Sequence, residues 1–130
     1  MKYSKIPKYI LHDSSIYNID IKSSSLKFFI QDGIYLYNGN EIELFKDRKL
    51  VIDINNFDCN IYNHITIYKF IRNIRKEISL NKFVKMLTKN RLRIYLDFYS
   101  EFADALLIKG FRGKYEVEII ITDINEISVL

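Results

Sequence analysis

Apolar side chains recur at every second residue through most of this chain, a period that commits it to strands with one buried face. Leu26, Phe28 and Ile30 alternate with Lys27 and Phe29, and the segment stops at Gln31-Asp32-Gly33, a turn signal that implies a hairpin with the strand beginning at Ile34. Ile34 to Tyr37, then Asn38-Gly39, then Glu41 to Leu44 reads as a second hairpin, because Asn-Gly tolerates the positive φ of a type I′ turn. Leu50, Ile52 and Ile54 make another inward set, and Ile16, Ile19 and Ile21 an earlier one with irregular spacing. An antiparallel meander is the expected product.

The period changes once. In SLNKFVKMLTKN, Ser79 suits an N-cap, Leu80, Phe83, Val84 and Leu87 follow helical spacing, and Asn90 suits a left-handed stop, so one helix is expected over about 79–90. Lys82, Lys85 and Lys89 then line its solvent side. The stretch 65–78 stays open: Ile65 and Ile67 fit a strand, Ile67, Phe70, Ile71 and Ile74 fit a helix, and no breaker decides. Beyond the helix, Leu92, Ile94, Leu96 and Phe98 alternate with Arg91, Arg93, Tyr95, Asp97 and Tyr99. A final hairpin is expected through Arg112-Gly113-Lys114, closing the sheet with Tyr115, Val117, Ile119 and Ile121 facing inward. The fold class is α+β: a single domain over 1–130, with a mainly antiparallel, twisted sheet and one principal helix.

With 130 residues the chain is long enough for one core without disulfides or metal, and its single cysteine, Cys59, suits a reducing compartment. No apolar run is long enough to cross a bilayer and the start lacks a secretory h-region, so a cytoplasmic location without membrane attachment is expected. Ile, Lys, Asn, Tyr and Phe make up just over half the chain, all with AT-rich codons, so position carries more meaning than count.

Catalytic equipment is sparse. His12 and His64 fall in different elements, and His12-Asp13-Ser14 is better explained by a local turn than by a triad, whose members come from separated segments. Cys59 and His64 read as a small buried thiol and a satisfied imidazole. Two histidines and one cysteine without CxxC or HExxH spacing make no metal site, and the four glycines are accounted for by turns, so no cofactor is called for. The pairs Glu41/Glu43 and Glu116/Glu118 have strand spacing on an outward, solvated face. A non-enzymatic role is expected, with a metal-free ribonuclease, which needs only a few His, Lys, Tyr or Arg groups, as the enzyme class left open.

Charge is concentrated in one belt. Residues 69–93 hold nine lysines and arginines against a single acid, Glu77, in a chain of net charge +4. Such a belt meets an acidic partner, whether nucleic acid, protein or the chain's own acidic residues. Phosphate contacts by Lys82, Lys85 and Lys89 with base stacking by Tyr95 and Tyr99 make a nucleic-acid surface. Cross-strand pairing of Arg91 and Arg93 with Glu116 and Glu118 makes a structural one. A platform of Arg91, Arg93, Tyr95, Asp97 and Tyr99, with Glu101 and Asp104 close by and the helix lysines beside it, makes a protein interface, for which arginine and tyrosine are favoured.

Two stretches carry a family resemblance. LHDSSIYNIDIKSSSLKFFIQDGIYLY, from Leu11, and LLIKGFRGKYEVEIIITDINEISVL, ending at Leu130, cover about two fifths of the chain. In them the chain resembles the small cytoplasmic immunity proteins of bacterial polymorphic toxin systems, particularly those of contact-dependent growth inhibition. The resemblance implies a non-enzymatic antitoxin that binds a cognate toxin domain, often a nuclease, and blocks its active site or substrate surface. Nuclease inhibitors of this kind are often acidic, and the +4 charge departs from that pattern. The departure leaves two routes: a local acidic patch at Asp97, Glu101 and Asp104, or an acidic toxin surface that meets the lysines.

Overall fold

The computed structural model describes residues 9–11, 13–38, 41–55 and 60–130. Twelve strands and one helix follow in order: β1 (Tyr9–Ile10), β2 (Ser15–Lys22), β3 (Ser25–Gln31), β4 (Ile34–Asn38), β5 (Glu41–Phe45), β6 (Arg48–Ile54), β7 (Ile65–Ile71), β8 (Ile74–Ile78), α1 (Leu80–Leu87), β9 (Leu92–Ser100), β10 (Ala105–Arg112), β11 (Tyr115–Ile121) and β12 (Ile124–Val129). All pairings are antiparallel, in a nine-stranded open sheet of order β12-β6-β3-β2-β9-β10-β11-β7-β8 and a small sheet of order β1-β4-β5. Mainly antiparallel sheet with one helix is the α+β class expected from the pattern.

The large sheet is sharply bent, and its connectivity requires this. β11 and β12 stand six strand positions apart yet are joined only by Thr122 and Asp123. Six spacings in a flat sheet span about 29 Å, whereas that link reaches about 11 Å. The bend falls where β2 meets β9, which pair only at Ser15/Arg93 and Ile16/Leu92. The sheet thus divides into two halves, β12-β6-β3-β2 and β9-β10-β11-β7-β8, which face each other across the core. Backbone bonds close the seam where β11 passes to β12: Ile124 N–H to Asp104 O (3.0 Å), Asn55 N–H to Asp123 O (2.8 Å) and Thr122 N–H to His64 O (2.8 Å).

One hydrophobic core fills the space between the halves. Leu26, Phe28 and Ile30 of β3 and Leu50, Ile52 and Ile54 of β6 face Leu106 and Ile108 of β10 and Val117, Ile119 and Ile121 of β11, all buried as their alternation requires. Helix α1 packs against both β2 and β7 and so closes the open side. It inserts Leu80, Phe83 and Leu87, with Ser79 Oγ accepting the Lys82 N–H at 3.2 Å as N-cap. Its C-terminus differs from expectation: Asn90 is not left-handed. Thr88 caps the last turn in right-handed conformation, and Arg112 Nε donates to Met86 O at 3.1 Å. A basic donor at the carbonyl end of the helix dipole does the work that a left-handed residue would have done.

Two further expectations are corrected, one hairpin forms as expected and the open stretch 65–78 resolves. β3 and β4 do not pair: Asp32 (φ 70°) and Gly33 (φ 108°) send the chain out of the large sheet into the small one. β4 and β5 do form a hairpin, with Asn38 opposite Glu41, but Gly39 and Asn40 lie outside the described residues. The ambiguous stretch 65–78 is a hairpin, turned by Arg72 (φ 51°) and Asn73 (φ 66°). β10 and β11 form the hairpin expected through Gly113-Lys114, yet they lie inside an open sheet whose edges are β12 and β8. Among the described residues, no helix is long and apolar enough to cross a membrane.

Candidate functional site

The surface that stands out is the outer face of the half-sheet β9-β10-β11-β7-β8, and a β-bulge composes it. Gly110 lies opposite Ile94 whereas the preceding Lys109 lies opposite Leu96, so Tyr95 is an extra residue on β9. An extra residue reverses the faces of everything beyond it. Leu92 and Ile94 point into the core as expected, and Arg93 and Tyr95 point out. Past the bulge Leu96 and Phe98 turn outward, Phe98 to 60 % exposure, while Asp97 and Tyr99 lie across from the buried Ile108 and Leu106 on the inner face. The strict alternation expected along β9 therefore holds only as far as Tyr95.

Register places the outer-face residues in rows. Phe98, Leu107, Ile120 and Thr66 form an apolar row, Leu96, Lys109, Glu118, Tyr68 and Glu77 a charged one, and Arg93, Phe111, Glu116, Phe70 and Arg75 a mixed one. Glu118 is only 8 % exposed and is held by Lys109 Nζ at 3.5 Å, which corrects the expectation of a solvated carboxylate pair. β9 and β11 are separated by β10, so Arg91 and Arg93 are not cross-strand neighbours of Glu116 and Glu118. Instead Tyr95 stacks on Phe111, with centroids 5.3 Å apart and planes 30° apart, and its hydroxyl donates to Glu116 Oε2. Arg75 lies over the Tyr68 ring at 3.8 Å. These contacts fix the side chains before any partner arrives, which reduces the entropy lost on binding.

The hydrogen bond to Glu116, then partial burial, then the charges of Glu116 and Glu118 push the Tyr95 phenol up to about 12. A folded pKa above the unfolded value of 10.0 means that this contribution to stability is complete below about pH 10 and lost as pH rises through about 12. Glu116→Gln is expected to bring one tyrosine back to an earlier ionisation step, read from tyrosinate absorbance in an alkaline titration. An unchanged curve would show that Tyr95 does not hold Glu116 in solution. At neutral pH the phenol keeps its proton.

The ten residues singled out in the sequence do not make one surface. Arg93 and Tyr95 belong to the outer face. Arg91 turns to Gln31 and Asp32, its Nη1 lying 4.0 Å from the Asp32 carboxylate. Asp97 is an inner-face acceptor for the Leu11 N–H at 3.4 Å. Glu101 and Asp104 occupy the β9–β10 turn near Tyr99, whose phenol is raised by burial and then by the charges of Asp104 and Glu101. Lys82 and Lys85 are exposed on α1 and Lys89 in the turn just beyond it, and Lys85 lines a cleft of about 500 Å³ with Asp20, Tyr62 and Asn81. Sequence reasoning missed Leu96, Phe98, Lys109, Phe111 and the fully exposed Phe102. The available signal was Gly110 inside a strand pattern, a usual mark of a bulge.

His64 is buried, and its Nδ1 lies 2.8 Å from Asp123 Oδ2, tying the 3-10 turn Ile61–Asn63 to the seam. His12 and Cys59 lie outside the described residues, and with them the His12-Asp13-Ser14 and Cys59/His64 readings. Among the described residues, no three His, Cys, Asp or Glu side chains come together as a metal site. No protein-family model, curated protein or solved structure matches the chain.

Proposed function

We propose that this protein is a non-enzymatic, cytoplasmic bacterial immunity protein that binds a cognate toxin domain, of nuclease type, and blocks its active site or substrate surface. The observation that carries this reading is the outer face of β9 and β10: Leu96 and Phe98 are exposed on the same face as Arg93, Tyr95 and Phe111, and Phe102 is fully exposed in the β9–β10 turn. An exposed apolar patch rimmed by polar groups is the usual mark of a protein interaction site, and Tyr, Phe and Arg are the side chains that dominate such sites. The half-buried Lys109, paired with the buried Glu118, adds directional specificity to the apolar area.

The other candidate partner is nucleic acid, held by the basic belt 69–93. Two features favour a protein over it. Tyr95 has one ring face on Phe111 and its hydroxyl on Glu116, while Tyr99 lies on the inner face, so the expected stacking pair is not presented together. Glu116 also stands in one row with Arg93 and Arg75, placing a carboxylate between two arginines of the belt.

The direct test is co-purification with the domain encoded immediately upstream, followed by calorimetry in moderate and high salt. Nanomolar binding that resists salt is expected. Combined Arg93→Glu and Tyr95→Ala is expected to weaken it by about tenfold or more with the melting transition retained. No complex would sink the immunity reading, and unchanged affinity would move the interface to another face.

A further inference from the structure

β8 ends the nine-stranded sheet, and among the described residues nothing pairs with its outer edge. Ile74, Arg75, Lys76 and Glu77 are all exposed, Ile74 to 69 %. Arg72 and Asn73 both have positive φ, the geometry of a type I′ turn, whose flanking residues Ile71 and Ile74 form a hydrogen-bonded pair. Bonded and non-bonded pairs alternate along antiparallel strands, so Lys76 and Ile78 also bond to β7. Arg75 and Glu77 therefore turn their N–H and C=O groups away from β7, toward the open edge.

Charge selects what the edge accepts. Lys76 stands directly opposite Lys69, an unfavourable arrangement for two like charges. Lys69 Nζ lies 4.1 Å from the Tyr115 ring centroid, and Lys114 Nζ lies 5.6 Å from the same centroid. The nearby carboxylates Glu77, Glu116 and Glu118 alternate onto the opposite face. Lysines on an edge strand ordinarily prevent strand addition, and here they repel a second β8. The same lysines favour a strand that brings carboxylates.

We propose that the outer edge of β8 receives an extended acidic segment of the protein partner as an added strand. A carboxylate across from Lys76 would complete a row with Lys76 and Lys69, and the backbone of Arg75 and Glu77 would supply the hydrogen bonds. This rests on the protein-binding reading above and adds to it the chemistry of one contact.

The test uses the full chain and a labelled, end-blocked peptide of about eight residues, a usual strand length, alternating glutamate with threonine. Glu77→Pro removes one outward N–H and leaves the ladder to β7 intact, since edge strands tolerate proline there. Strand addition predicts binding that weakens about fivefold to tenfold in Glu77→Pro and is unchanged or tighter in Glu77→Gln. It also predicts loss of about tenfold or more in Lys76→Glu, and slowed amide exchange at Arg75 and Glu77 with peptide bound. Charge attraction alone predicts tighter binding by Glu77→Pro, because an acid is removed, and that result would overturn the proposal. So would absence of peptide binding at low salt, or single-stranded DNA that binds with the same response to these variants. Self-association abolished by Glu43→Lys would assign the edge to β5 of a second copy and overturn it too. If the upstream domain binds wild type and Glu77→Pro equally, the edge proposal falls and the protein-binding reading stands.

Discussion

Replacing Phe83 with alanine is expected to cost about 3–5 kcal/mol, the range for truncating a fully buried phenylalanine. Phe83 is wholly inaccessible and sits on the one helix that packs against both halves of the bent sheet, through β2 and β7. Elsewhere the halves are joined through the shared core, by the β2–β9 pairs, which the bonds of Asp13 and Ser14 to Ile94 extend, and by the bonds at the β11–β12 seam. Neither half encloses a core alone, so a void under α1 is felt by both and has little freedom to collapse. Urea denaturation followed by circular dichroism measures the loss. Lys85→Ala on the exposed side of the same helix is the control, expected to stay within about 0.5 kcal/mol. A loss near 1 kcal/mol for Phe83→Ala would mean that the helix lies on the sheet without closing it.

That helix was legible because Leu80, Phe83 and Leu87 repeat at its period and Ser79 offers a cap, all within residues 79–87. β3 and β6 were legible for the same reason: Leu26, Phe28 and Ile30, and Leu50, Ile52 and Ile54, each alternate cleanly. Local periodicity fails where two periods coexist. In β7 and β8, Ile67, Phe70, Ile71 and Ile74 fit helical spacing, and the turn that separates them is Arg72-Asn73, which lacks the glycine that usually announces a type I′ hairpin. Strand order was not legible at all. Only Thr122 and Asp123 link β11 to β12, yet these strands lie at distant positions of a folded sheet, because pairing is settled by which buried faces meet.

The candidate site was legible only up to Tyr95. Arg93 and Tyr95 project as their positions indicate, but one extra residue exchanges Asp97 and Tyr99 for Leu96 and Phe98 on the outer face. The change converts a charged tyrosine platform into an apolar one with a charged rim. It also removes Asp97 from any acidic patch presented to a partner, since its carboxylate receives the Leu11 N–H. The belt 69–93 divides for a related reason: β8 is an edge strand, α1 covers the gap between the halves, and Arg91 is drawn to Gln31 and Asp32.

Gly110→Val is expected to destabilise the protein by about 3 kcal/mol and to weaken partner binding beyond that loss of stability. A Cβ at Gly110 would lie 2.3 Å from Arg93 O, with Arg93 C and Leu92 Cδ1 each at 3.0 Å. The carbonyl is backbone and cannot rotate away, so β9 must move or the bulge must be lost. Losing the bulge restores strict alternation and carries Leu96 and Phe98 toward the core, with Asp97 and Tyr99 turned to solvent. The positions across from Ile108 and Leu106 would then hold Leu96 and Phe98 in place of Asp97 and Tyr99, and the Asp97 bond to the Leu11 N–H would be lost. Moving β9 instead opens the stack of Tyr95 on Phe111 and the Tyr95–Glu116 bond. Either route disturbs the outer face as well as the core. Calorimetry with the partner at a temperature where the variant is fully folded separates the two effects, and Leu106→Ala, which destabilises the same strand from the inner face, is the comparison. Equal affinity for the two variants would mean that the bulge serves packing alone, whereas a deficit confined to Gly110→Val would tie the register of β9 to recognition.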